Sequence, residues 1–123
     1  AALALRTKVL ASDIDPVAVA VAQENAQINH AGALFQGFTA AGAAAGRFRA
    51  EQPYDLIFAN ILEAPLRRMS YPLASLLAPR GYLILSGLLP AHTHGVIAAY
   101  RRQGLALDQR LLLDGWATLI MQR

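Results

Sequence analysis

The stretch Val9-Leu10-Ala11-Ser12-Asp13-Ile14-Asp15-Pro16 limits what this chain can fold into more than any other. A short apolar run that stops on an acid suits a parallel strand buried on both faces. The Asp15-Pro16 step after it carries two helix-start signals, a carboxylate N-cap and a proline at the first helical position. Asp13 therefore falls at the carboxyl end of a strand, which is where ligands bind in open α/β sheets. A carboxylate there offers two acceptor oxygens at about the spacing of a vicinal diol, as in a ribose. An acid that only caps the turn explains the same pattern equally well, and the order of strand, acid and helix does not choose between them.

The 123 residues amount to one domain or part of one. A hydrophobic fraction of 55% and a mean hydropathy of +0.34 predict strands covered on both faces. No apolar stretch approaches the roughly 18 residues of a membrane helix, and no secretory series opens the chain, so a cytoplasmic protein with no membrane partner is expected. The absence of cysteine removes disulfides and thiol nucleophiles together. The net charge is +3, but the basic residues are scattered apart from Arg67-Arg68 and Arg101-Arg102, so direct nucleic-acid binding is permitted and not required.

In chain order, Ala1 to Leu5 reads as the tail of a helix. Pro16 to Asn29 is predicted helical, with Val17, Val21, Glu24 and Ile28 on one stripe. Ala18, Ala22 and Asn25 form a smaller-residue side able to lie close to a sheet, and Gly32 is the expected stop. Ala33 to Phe38 is a predicted strand. Phe38 stands at its carboxyl end, where an aromatic ring can flank a base, although ordinary packing is the commoner role of a lone aromatic. Ala40 to Gly46 is a flexible small-residue connection without the spacing of a phosphate loop, and Arg47-Phe48-Arg49 is left without a predicted structure.

A second apolar run, Leu56-Ile57-Phe58-Ala59, halts at Asn60 and predicts another strand whose carboxyl end carries a carboxamide. An asparagine oxygen there can accept a hydrogen bond from a substrate amine while a neighbouring backbone carbonyl takes another. Glu63 suits a general base or a residue at a helix start, the latter slightly favoured. Pro65 to Leu77 is predicted helical and divided by Pro72, with Leu66, Met69, Leu73, Leu76 and Leu77 inward. A turn at Pro79-Arg80-Gly81 precedes the strand Tyr82 to Ser86, and a helix spans Ala91 to Gln103. His92 and His94, two apart, do not share a helix face and read as solvated, so no metal site is predicted. Leu105 to Leu113 and Trp116 to Gln122 are strands joined by Asp114-Gly115, a strong hairpin signal.

Together Val9 to Pro16, Tyr54 to Leu62, Leu77 to Gly87 and the hairpin with Gly115-Trp116 resemble class I S-adenosylmethionine-dependent methyltransferases. Among these they are most similar to the PrmA family, which methylates the eleventh large-subunit ribosomal protein. The resemblance implies a Rossmann-like α/β sheet, mostly parallel with a terminal antiparallel hairpin. It makes residues 1–123 a portion of the catalytic domain, whose first strand and glycine-rich cofactor loop lie upstream of Ala1. It also implies S-adenosylmethionine as cofactor, held by Asp13, Ile14, Phe38 and Asn60. Asn60 is the catalytic candidate, and the substrate is the amino groups of a ribosomal protein. Methylation of nucleic acid or of another amine or amide, and an inactive truncated domain, are the alternatives.

Overall fold

The computed structural model describes residues 2–43 and 45–123, and the chain divides into two compact units, Ala1–Phe48 and Arg49–Arg123. In the first, α1 (Ala2–Leu5) leads to β1 (Val9–Asp13), α2 (Pro16–Ile28) and β2 (Phe35–Thr39). A short helix, α3 (Gly46–Ala50), begins in this unit and ends in the next. Of the predicted helix tail and small-residue connection, Ala1 and Ala44 lie outside the described residues; Arg47-Phe48-Arg49 is helical.

β1 and β2 pair in parallel, with Val9 opposite Phe35 and Asp13 opposite Thr39. Helix α2 starts as the Asp-Pro step predicts: Asp15 Oδ1 accepts the Val17 N–H at 2.9 Å, and Pro16 opens the first turn. Its end differs from expectation. His30, with φ 58°, takes the left-handed position assigned to Gly32. From there the His30 N–H reaches the Gln27 carbonyl at 3.0 Å and the Ala31 N–H reaches that of Ala26 at 2.7 Å, satisfying the last turn. The contact face also moves: Val17, Val21 and Ile28 are exposed, as are Ala22 and Asn25, while Ala18 and Val19 are half-buried and Val19, with the largely exposed Gln23, reaches Gly37 of β2. The small residue that permits the close approach is on the strand. A Cβ on Gly37 would stand 3.3 Å from Val19 Cγ1 and 3.5 Å from Gln23 Oε1.

The second unit contains β3 (Tyr54–Asn60), α4 (Glu63–Arg68), α5 (Ser70–Leu76) and β4 (Leu77–Leu88). A 3-10 turn (Pro90–His92), α6 (Thr93–Arg101), β5 (Ala106–Leu113) and β6 (Trp116–Gln122) complete it. The sheet order is β3-β4-β6-β5, parallel between β3 and β4 and antiparallel for the two remaining pairs. The hairpin turn is as predicted, with positive φ at both Asp114 and Gly115. The expected helical stretch is divided, but at Met69 and not at Pro72 itself. A proline ring collides with the carbonyl four residues earlier, and here that carbonyl belongs to Arg68, the last residue of α4. The predicted turn at Pro79-Arg80-Gly81 is instead a bulge inside one long strand: the partner of β4 jumps from Tyr54 opposite Leu77 to Leu56 opposite Tyr82.

Side chains alternate along these strands. Ala59, Leu83, Leu85, Leu119 and Met121 are buried, as are Leu66, Leu73, Leu76, Val96 and Tyr100 from the helices. The opposite sheet face departs from the expectation of cover on both sides. Phe58, Tyr82 and Leu111 are exposed there, because α5 and α6 meet the sheet through the residues of the buried alternation. Arg123 secures the start of β4, its Nη1 donating to the carbonyls of Ala74 and Leu77 at 2.8 Å each.

Candidate active site

The parallel ladder of the first unit carries Asp13 to the end of β1, and the Ala40 N–H bonds its carbonyl at 3.0 Å. The Asp13 carboxylate is exposed, and its Oδ1 accepts the Asp15 N–H at 2.9 Å. This is a side-chain turn of the kind aspartate forms two residues ahead, and Asp15 repeats it onto Val17. The capping and the ligand readings of Asp13 are therefore compatible: an ionised carboxylate has about four acceptor positions, and one backbone N–H occupies one of them. A ribose diol needs two more. Ile14, between the two acids, presents an apolar side chain that is 73% exposed.

Phe38 stands opposite Ser12, one register step before the Asp13–Thr39 pair, and so points to the other face of this two-stranded sheet. There its ring meets Phe48 at 4.9 Å between centroids, tilted by 57°, and the Arg47 guanidinium lies 5.3 Å from the ring centre. Arg47 also donates to Gln36 Oε1 at 2.9 Å, so one residue ties α3 to two side chains of β2. These are packing contacts of a half-buried ring, and they occur beside the position at which the sequence also allowed the ring to flank a base.

In the second unit Asn60 is the last residue of β3, exposed and opposite Ser86. The chain leaves the sheet through Ile61 and Leu62 and enters α4 at Glu63, which pairs with Arg67 at 3.2 Å one turn later. That pairing is what a helix-start acid does, in accord with the reading favoured for Glu63. His92 and His94 are exposed, and among the described residues no group of three His, Cys, Asp or Glu side chains is arranged to hold a metal. Nor is any helix among them long and apolar enough to cross a membrane.

Residue-type reasoning missed Gly87. At φ +76° it sits directly after the residue opposite Asn60, and a Cβ there would collide with Asn60 Oδ1. Its place in Leu-Ser-Gly-Leu-Leu was visible in the sequence, but the atom it must not carry was not. Asp13, Ile14 and Phe38 thus belong to one unit and Asn60 with Gly87 to the other, each placed at a strand end.

Two parallel pairs with acid and amide at their carboxyl ends, followed by an antiparallel hairpin, are matched in known proteins. The family model described as Ribosomal protein L11 methyltransferase (PrmA) matches residues 1–123. The chain belongs to the PrmA family. It is 47% identical over 123 residues to the ribosomal protein L11 methyltransferase of Rhodopseudomonas palustris, and 46% identical over the same length to that of Bradyrhizobium diazoefficiens. Each match covers the whole of this chain and 42% of the relative, so the chain spans about two fifths of these PrmA proteins. Among solved structures, the ribosomal protein L11 methylase of Lactobacillus delbrueckii is similar with a TM-score of 0.84 and 27% identity, covering 94% of this chain and 58% of that one. A methyltransferase from Pyrococcus furiosus, at 16% identity and a TM-score of 0.75, shares the α/β fold, with 94% of this chain and 61% of that one covered.

Proposed function

We propose that the protein carrying this chain transfers methyl groups from S-adenosylmethionine to amino groups of ribosomal protein L11. The family match supports this reading, as do the names of the relatives at 46–47% identity. The observation that carries the chemistry is Asn60 at the end of β3, its Oδ1 standing beside Gly87 and near the start of α4. A lysine amine has a pKa near 10.4 and must lose its proton before it can attack. A carboxamide oxygen accepts an N–H of the neutral amine and turns the lone pair away from itself. The Ile61 carbonyl oxygen, 3.8 Å from the position a Gly87 Cβ would take, is a second acceptor on the same side. Such alignment supplies much of the acceleration in a displacement whose electrophile is already activated.

Residues of the first unit fit the cofactor. The carboxylate of Asp13 keeps acceptor capacity for a ribose diol, and Ile14 offers exposed apolar surface beside it. When bound, S-adenosylmethionine supplies a methyl group on a positively charged sulfur. Asp13 orients the nucleoside and Asn60 orients the amine.

The test is transfer of a labelled methyl group by the relative-length protein to purified ribosomal protein L11 and, separately, to ribosomal RNA. Label on the protein at lysine or N-terminal nitrogen is the expected result, and label on RNA alone overturns the reading. In the same assay Asn60→Ala should lower turnover more than cofactor affinity. Unchanged turnover would remove Asn60 from the mechanism.

A further inference from the structure

Asn60 and Gly87 are far apart in sequence and are brought together by the parallel register of β3 and β4. Gly87 sits in the left-handed region at φ +76°, and a Cβ there would collide with Asn60 Oδ1 while standing 3.8 Å from the Ile61 carbonyl oxygen. One side-chain oxygen and one backbone oxygen therefore both lie within 4 Å of the position that a Gly87 side chain would start from. The nature of the colliding atom decides what a side chain would do. At Gly81 a Cβ would strike the Ala78 carbonyl oxygen and Leu77 Cγ, both at 2.9 Å, so the backbone and the core would have to move. At Gly87 the obstacle is the tip of a short, exposed side chain, which escapes by rotating about its own χ angles. The fold survives such a rotation, and the direction of the carboxamide does not.

We propose that Gly87 is a positioning residue for the methyl transfer: its missing side chain is the seat of the Asn60 carboxamide oxygen and holds it beside the Ile61 carbonyl. This rests on the reading of Asn60 as the acceptor for the substrate amine.

A matched control is present in the same unit. Gly115 has φ +80° and open space where a Cβ would go, so Gly115→Ala imposes the backbone strain without a collision. The experiment compares Gly87→Ala, Gly115→Ala, Asn60→Ala and the Gly87→Ala/Asn60→Ala double variant in the catalytically competent protein. It measures kcat, the S-adenosylmethionine dissociation constant and the melting temperature. Gly87→Ala is expected to lower kcat by about 100-fold, the scale of an ångström-sized misplacement, with cofactor affinity within about twofold of wild type. Gly115→Ala keeps its kcat while losing a similar amount of thermal stability. The double variant is no slower than Asn60→Ala alone, because the oxygen to be seated has gone.

A Gly87→Ala protein with wild-type kcat beside a slow Asn60→Ala protein overturns the proposal and leaves the role of Asn60 intact. So do losses that multiply in the double variant. An Asn60→Ala protein of unchanged kcat instead overturns the role of Asn60, and the proposal falls with it. Should Gly87→Ala fail to fold, recovery of folding in the double variant places the clash at Asn60 and supports the seat, whereas failure of both places it in the backbone and overturns it.

Discussion

Replacing Tyr100 by phenylalanine removes one oxygen atom from the centre of the second unit and should be felt throughout it. Tyr100 lies on α6 with no solvent exposure, and its hydroxyl donates to the Leu66 carbonyl at 2.8 Å. Leu66 is in the last turn of α4, where carbonyls lack partners within the helix, and that turn ends early because Pro72 forbids its continuation. The tyrosine thus supplies a donor that a continuous helix would have supplied through its own backbone. Phenylalanine keeps the ring and nearly all the packing, so the loss is chiefly that of a buried carbonyl left unpaired, about 1.5 kcal/mol within a usual range of about 1–3. In a unit of this size that lowers the melting temperature by about 6–12 °C. Tyr100→Ala, which also empties the ring's space, should cost about 3–5 kcal/mol. Thermal denaturation of both variants, with amide exchange followed along α4, measures the effect. A shift below about 1 °C for Tyr100→Phe would show that the hydrogen bond contributes no net stability and would refute the reasoning.

The same residue predicts an alkaline response. Burial pushes the Tyr100 hydroxyl far above its ordinary value of 10.0, so the folded protein keeps a proton that the unfolded chain releases. Its stabilisation is complete below 10.0 and is lost as the pH rises beyond it towards the folded value, so Tyr100→Phe should flatten the fall in stability there. Tyr54 is raised as well, by desolvation first and the Glu51 charge second, so the slope is reduced and not abolished. An unchanged slope in pH-dependent melting would count against this. Asp13→Ala should weaken S-adenosylmethionine binding about tenfold or more in calorimetric titration, and an unmoved dissociation constant would dismiss the ribose assignment. Phe38→Ala should loosen the first unit through its lost contacts with Arg47 and Phe48, measured as a lower melting temperature, and a large loss of cofactor affinity with unchanged melting would assign the ring to the cofactor and not to packing. Asp15→Ala removes the N-cap of α2 and should cost about 0.5–2 kcal/mol, detectable as faster amide exchange in its first turn.

Features set by near neighbours in the chain were legible in advance. The Asp-Pro start of α2, the Asp-Gly hairpin and the strand runs ending at Asp13 and Asn60 all follow from capping geometry, turn dihedrals and apolar patterning, which act over a few residues. Even the division of α4 from α5 was readable from Pro72, though its place was not, since the clash falls on a carbonyl one turn upstream. What the sequence withheld depends on which strands become neighbours. The face that α2 turns to β2 was decided by Gly37 across the gap, and the glycine signal at Gly32 was overridden because His30 could take the left-handed position and close the last turn.

By itself, then, the amino-acid order determined the class of fold and the two strand ends that carry an acid and an amide. Only the tertiary structure decided that the Phe38 ring meets Phe48 of α3, that Tyr100 completes a helix it does not belong to, and that Gly87 keeps the space in which the Asn60 oxygen stands. The reason is one of range. Capping and periodicity are written between adjacent residues, whereas an empty position is defined by the atom that fills it, and that atom arrives from another strand.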